Sequence, residues 1–148
     1  MTGRWGRVVR RLPWQVALLF SLFFLHSLLF RAWLVDDAGI SFAYARNLVH
    51  GYGLVSQPGL EPVEGFSIPL WTLLIAPLFI GDPVDPTLPI KVVSLGLMFA
   101  TFLLVHRISR TIFGPSWWAR ATTAAVLVSI SLNTSFVVWT VSGLENPL

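Results

Sequence analysis

The sequence predicts an all-α, multi-spanning transmembrane protein with juxtamembrane helices in its first outer loop. Three observations carry that expectation. Only 11% of the residues are charged, against about a quarter in soluble domains. Mean hydropathy is +0.73. Three apolar runs, 14–35, 88–108 and 119–141, each supply the roughly 20 residues that a membrane helix needs. The apolar share of 55% is only slightly above the soluble average of about half, so scarcity of charge decides the class.

The first run follows Arg4, Arg7, Arg10 and Arg11. It is long, and no small-residue cleavage site precedes Asp36, so an uncleaved span is expected rather than a secretory signal. Positive-inside bias places the N-terminus in the cytoplasm and the Asp36-Asp37 pair outside.

An outer loop, 36–87, comes next. Within 38–50, Ile40, Tyr44 and Leu48 share one helical stripe and Phe42 and Val49 another, leaving a polar strip with Arg46 and His50. That pattern predicts a short helix on the membrane surface. Gly51 and Gly53 end it, and Pro58-Gly59 and Pro62 mark turns. The segment 67–81, SIPLWTLLIAPLFIG, is apolar but holds only 15 residues and contains Pro69 and Pro77. Its length suits a membrane-dipping segment. If it does not cross, Arg107, Arg110 and Arg120 join the N-terminal arginines in the cytoplasm. All seven acids (Asp36, Asp37, Glu61, Glu64, Asp82, Asp85 and Glu145) then fall outside. If it crosses, those three arginines move outside, against the positive-inside rule.

The formal charge of +3 and pI near 10.2 do not point to nucleic acid, because the basic residues gather at membrane edges rather than along one face. Without cysteine there is no disulfide, thiolate zinc site or catalytic thiol. Trp14, Trp33, Trp117, Trp118 and Trp139 fall near predicted membrane boundaries, the aromatic-belt position. Trp71, in the dipping segment, is expected to pack.

Chemistry centres on Asp36 and Asp37. Carboxylates are costly in a bilayer, so a pair at its surface is an anchor or a reactive site. Like-charge crowding and partial burial make a carboxylate a better proton acceptor, suited to act as general base toward a hydroxyl. The pair could instead hold a divalent cation that neutralises a phosphate leaving group. It could also merely cap the next helix and fix the depth of the first span. Arg46 has the fork geometry for a phosphate, or for a headgroup or loop acid. Glu61 and Glu64 flank a turn, where solvated acids are ordinary. Glu145 ends the third run on the same outer face as the aspartates. His26, His50 and His106 form no metal-ligand spacing and are assigned to structure or polar surface.

DDAGISFAYARNLVHGYGLV, then PGLEPVEGFSIPLWTLL, then WTVSGLENPL resemble the N-terminal part of the GT-C superfamily of membrane glycosyltransferases. The nearest likeness is to the terminal β-arabinofuranosyltransferases of actinobacterial cell walls. The likeness rests on a paired acid after the first span, a YARNL helix, a PGLEPVEG turn, an LW segment and an SGLE segment, in order over about two thirds of the chain. Gly39 stands where relatives usually carry an aromatic residue.

The resemblance implies many transmembrane helices, a polyprenyl-phosphate sugar donor and a cell-envelope glycan acceptor outside the cytoplasmic membrane. It implies Asp36 as general base, Asp37 as its assistant in substrate or cation binding, and Arg46, Glu64 and Glu145 in substrate binding. Family members carry more spans, so the chain is expected to be the N-terminal portion of a larger enzyme and inactive alone. The alternatives are a non-catalytic membrane subunit and a fragment of a lipid-linked sugar transporter.

Overall fold

The computed structural model describes residues 13–63, 65 and 68–144. Among them the regular structure is entirely helical. Helix α1 (Trp14–Ser27) starts where Pro13 fixes an extended entry, and it tightens into a 3₁₀ turn at Leu28–Phe30. The run expected to be helical over 14–35 therefore ends sooner.

A lysine accounts for where it ends. Lys91 is almost fully buried, and its ammonium donates to the carbonyls of Arg31 and Trp33, each at 2.6 Å. The carbonyls just past a helix end lack intrahelical partners and favour a cation. Lys91→Met keeps the aliphatic stem but strands both carbonyls. We expect a loss of about 2 kcal/mol, because hydrogen bonds to charged groups contribute roughly 1.5–3 kcal/mol each while relief of ammonium burial offsets part. Thermal unfolding of the purified protein checks this, and an unchanged midpoint contradicts it.

Helix α2 (Ala38–Val49) follows, then α3 (Pro69–Ile75), which opens on a proline at its first turn. Pro77 then turns the chain into a 3₁₀ segment, Ala76–Phe79. Helix α4 runs Thr87–Phe113 and stops at Gly114. Helix α5 (Trp117–Leu132) is capped by Ser116, whose hydroxyl accepts the Ala119 N–H. Helix α6 (Thr134–Thr140) completes the series.

The third apolar run is not one continuous helix. Asn133 is extended, and its side-chain oxygen accepts the N–H groups of Ser135 and Phe136. That is an N-cap in mid-run, and α5 and α6 meet there at 70°.

Two clusters form the core. Val16, Leu19 and Phe23 of α1 pack with Met98 and Phe102 of α4, Leu127 of α5 and Val137 of α6. Phe20 meets Phe99 edge-on, with centroids 4.9 Å apart. The second cluster joins Ala45 of α2, Trp71 and Ile75 of α3, Ala76, Phe79 and Ile90. So α1, α4 and α5 make a bundle, and α2 and α3 sit on one end of it.

Polar contacts fix the directions. Gln15 donates to the Arg120 carbonyl, and the His26 ring meets the Ser131 carbonyl at 2.9 Å, so α1 and α5 run parallel. Lys91, near the start of α4, meets the end of α1, so α4 runs against them. Arg107, Arg110 and Arg120 therefore lie at one end. Asp36, Asp37, Asp82 and Asp85 lie at the other, with Arg31, Arg46 and Lys91.

Among the described residues, α4 alone is long and apolar enough to cross a membrane by itself. The bent pair α5–α6 qualifies only if taken as one span, and Trp14–Phe30 is apolar but shorter. At 27 residues, α4 is about 40 Å long, more than the roughly 30 Å of bilayer hydrocarbon.

Candidate functional site

Helix α2 is the hub on which the distinctive sequence elements meet. The Tyr44 hydroxyl donates to the Val63 carbonyl. Beside it lies Gly65, where an added Cβ would stand 2.7 Å from the tyrosine oxygen. Thus Val63 and Gly65 of the PGLEPVEG segment lie against Tyr44, and a larger residue at 65 would have to displace the tyrosine ring. One turn on, Asn47 donates through Nδ2 to the carbonyls of Val55 and Ser56 at 2.8 and 3.1 Å, folding the GYGLV stretch back on the helix.

The last element docks from the other side. Val35 donates its N–H to the Ser142 carbonyl at 3.1 Å. The fully buried Trp71 donates its indole N–H to the Gly143 carbonyl at 3.2 Å. Gly143 has φ +92°, and a Cβ there would lie 2.7 Å from Leu34 Cδ1 and 3.0 Å from Ala38 Cβ. The segment after α6 is therefore wedged between the start of α2 and the tryptophan of α3. Trp71 packs, as expected of it.

Asp36 and Asp37 project at the start of α2, and both are exposed rather than partly buried. Their backbone carbonyls accept the N–H groups of Gly39 and Ile40. Asp37 is the N-cap residue by position, yet its side chain makes no cap hydrogen bond. Neither carboxylate is bonded to another described residue, so capping α2 is not what they do. No third described histidine or acid joins them as a potential metal ligand. Two monodentate carboxylates alone fall short of a full set for a divalent cation. We assign no step to one.

The remaining candidates separate. Glu64 and Glu145 lie outside the described residues. Glu61 is exposed in the turn. Arg46 sits near the far end of α2, about 15 Å along the helix from Asp36 at 1.5 Å per residue. It grips Asp82 through Nε at 2.7 Å and through its terminal nitrogen at 2.8 Å. That hydrogen bond, and then the charge of Asp82, raise the arginine pKa above its ordinary value. The same bond holds the Asp82 carboxyl below the usual carboxylate range. His50 is occupied by the Arg46 carbonyl at 2.8 Å.

Lys91, Asp82 and Gly143 were not among the expected site residues. Lys91 carries a signal, as the lone charge near the start of an apolar run. The position of Gly143 inside SGLE is a second. Nothing in the sequence pairs Asp82 with Arg46.

A groove of about 540 Å³ opens between α2 and the 79–86 loop. Gly39, Phe42, Ala43 and Arg46 form one wall, and Phe79, Asp82, Pro83, Val84 and Pro86 the other. It begins one turn along from Asp36. A second cavity of about 350 Å³ lies between α4 and α6, lined by Met98, Phe136 and Trp139 among others. Neither aspartate of the pair lines either cavity.

Comparison with protein families, with characterised proteins and with solved structures yields no match to this chain.

Proposed function

We propose that the chain forms part of an integral-membrane, multi-spanning glycosyltransferase, with α2 and α3 on the extracytoplasmic surface. The enzyme moves a sugar, with arabinofuranose favoured by the resemblance, from a polyprenyl-phosphate donor to a cell-envelope glycan. The observation that carries this reading is that α2, which holds the YARNL element, is met by the three other elements that resemble GT-C enzymes, next to two exposed carboxylates with no other described partner.

The acceptor hydroxyl approaches the anomeric carbon of the donor. Asp36 takes its proton as the new C–O bond forms, and the bond to the polyprenyl phosphate breaks. The leaving phosphate needs positive charge to offset it; Arg31 and Arg46 are the described guanidiniums at this end of the bundle, and the resemblance assigns substrate binding to Arg46. Asp37, Glu64 and Glu145 complete the substrate-binding set that the resemblance implies. Because the donor arrives as a lipid, no nucleotide-binding fold is required.

The cytoplasmic N-terminus and outer-facing Asp36-Asp37 loop rest on the four arginines that precede α1 in the sequence together with Arg107, Arg110 and Arg120, seven cations against Arg31, Arg46 and Lys91 at the aspartate end. Thr111 is exposed, and a cysteine introduced there in a protein otherwise free of cysteine reports that side alone. Membrane-impermeant thiol reagent should fail to label it in intact cells and succeed after permeabilisation. Labelling in intact cells contradicts the orientation.

The reaction is tested by transfer of labelled sugar in membranes containing the protein in its natural form. Turnover is expected with a polyprenyl-phosphate donor and not with a nucleotide sugar. Equal turnover from the nucleotide sugar contradicts the reading. A lipid-linked sugar transporter is a second reading, favoured by the 70° break at Asn133, since broken helices line transporter sites. It predicts movement of the lipid without any new glycosidic bond.

A further inference from the structure

We propose that the groove between α2 and the 79–86 loop binds the phosphate of an anionic lipid, and that Asp82 is the latch this phosphate displaces from Arg46. The inference rests on the membrane placement proposed above, and not on the transfer reaction.

Three observations carry it. The first is the pairing geometry. Arg46 offers two parallel N–H donors to Asp82 at 2.7 and 2.8 Å, and a phosphate accepts the same fork through two oxygens. Both side chains are about half exposed, so the exchange needs no unfolding, and exposed pairs are individually weak.

The second is the backbone of the latch. Asp82 has φ +56°, the only described residue other than glycine in the left-handed region. Aspartate is among the few residues besides glycine that enter this region readily, and here the turn directs the Asp82 carboxylate to Arg46.

The third is position and lining. The groove ends at Pro86, next to the first residue of α4, the one helix that is by itself long and apolar enough to cross a membrane. Val84 of its lining is exposed, as are Ile80 and Leu88, one and two residues along the chain from the lining residues Phe79 and Pro86. One cation at the head of an apolar trough, at the level where a span begins, matches a phosphate headgroup with its chain. Gly39 lines the trough and faces open space there, since an added Cβ meets nothing within 4 Å.

The test measures binding of a polyprenyl monophosphate to the purified, natural-form protein in detergent, with phosphatidylcholine and inorganic phosphate as competitors. Asp82→Asn removes the competing charge, and asparagine tolerates a left-handed backbone. It should tighten binding by a few fold. Arg46→Gln should weaken it roughly tenfold. Gly39→Phe fills the trough at a helical position where glycine is itself unfavourable, and it should weaken binding with the ion pair intact.

A plain structural ion pair predicts that Asp82→Asn and Arg46→Gln shift binding in the same direction, and that result overturns the proposal. Competition by inorganic phosphate as effective as by the lipid overturns the lipid assignment. Since the readout is binding, a protein that proves to transfer no sugar leaves these outcomes unaffected.

Discussion

Gly143→Ala is expected to destabilise the protein by about 3 kcal/mol, combining the left-handed backbone penalty of roughly 1–2 kcal/mol with an overpacking cost of roughly 1–3 kcal/mol. The substitution adds one methyl group, but at φ +92° and 2.7 Å from Leu34 Cδ1. Leu34 is a flexible side chain and can yield. The Ala38 Cβ at 3.0 Å is fixed to the start of α2 and cannot move unless the helix does. Two hydrogen bonds hold the segment against that displacement, from Val35 to Ser142 and from Trp71 to Gly143. The strain must therefore enter the junction that carries Asp36 and Asp37. Thermal unfolding of the purified variant gives the stability loss. The fluorescence of Trp71, buried with its indole bonded to Gly143, should change with it. A variant as stable as the parent contradicts the wedge.

What the sequence made legible follows from local chemistry. Helix α2 ends at Val49, just before Gly51 and Gly53, because both glycines adopt positive φ. Trp71 packs while the five tryptophans expected near membrane boundaries remain exposed. The core span of α4 lay in its run of apolar residues, and Asp85 adds a cap that no hydropathy profile contains. Its carboxylate accepts the Thr87 side chain and the Thr87 N–H, the latter at 2.8 Å, which holds it below the ordinary carboxylate range.

What was not legible depended on partners far along the chain. The stripe Ile40, Tyr44 and Leu48 marked α2 by size. Its buried face is instead Ala38, Ser41, Tyr44 and Ala45, and Ile40 stays exposed. Small residues face inward because Gly143 and the α3 backbone approach α2 closely, and apolar periodicity cannot weigh closeness. The break at Asn133 did carry a local signal, a cap residue followed by Thr-Ser, hidden by the apolar run on either side. The early end of α1 required Lys91, 58 residues beyond Trp33. The aspartate pair, the elements around α2 and Arg46 were visible in the sequence; the exposure of the pair, expected to be partly buried, and the partner of Arg46 were not.

Loss of the proposed base tests the central claim most directly. Asp36→Asn preserves shape and removes the proton acceptor. Asp36 is exposed, and its side chain bonds to no other described residue, so the substitution should leave stability within about 0.5 kcal/mol of the parent. General-base catalysis contributes typically 10²–10⁴-fold. Transfer from a polyprenyl-phosphate donor should therefore fall by roughly that factor in membranes holding equal amounts of correctly inserted, natural-form protein. Binding of a polyprenyl monophosphate should stay as in the parent, since Asp36 does not line the groove. Such a fall with retained insertion and binding is the result predicted. Undiminished transfer by Asp36→Asn removes Asp36 as the base and contradicts the account.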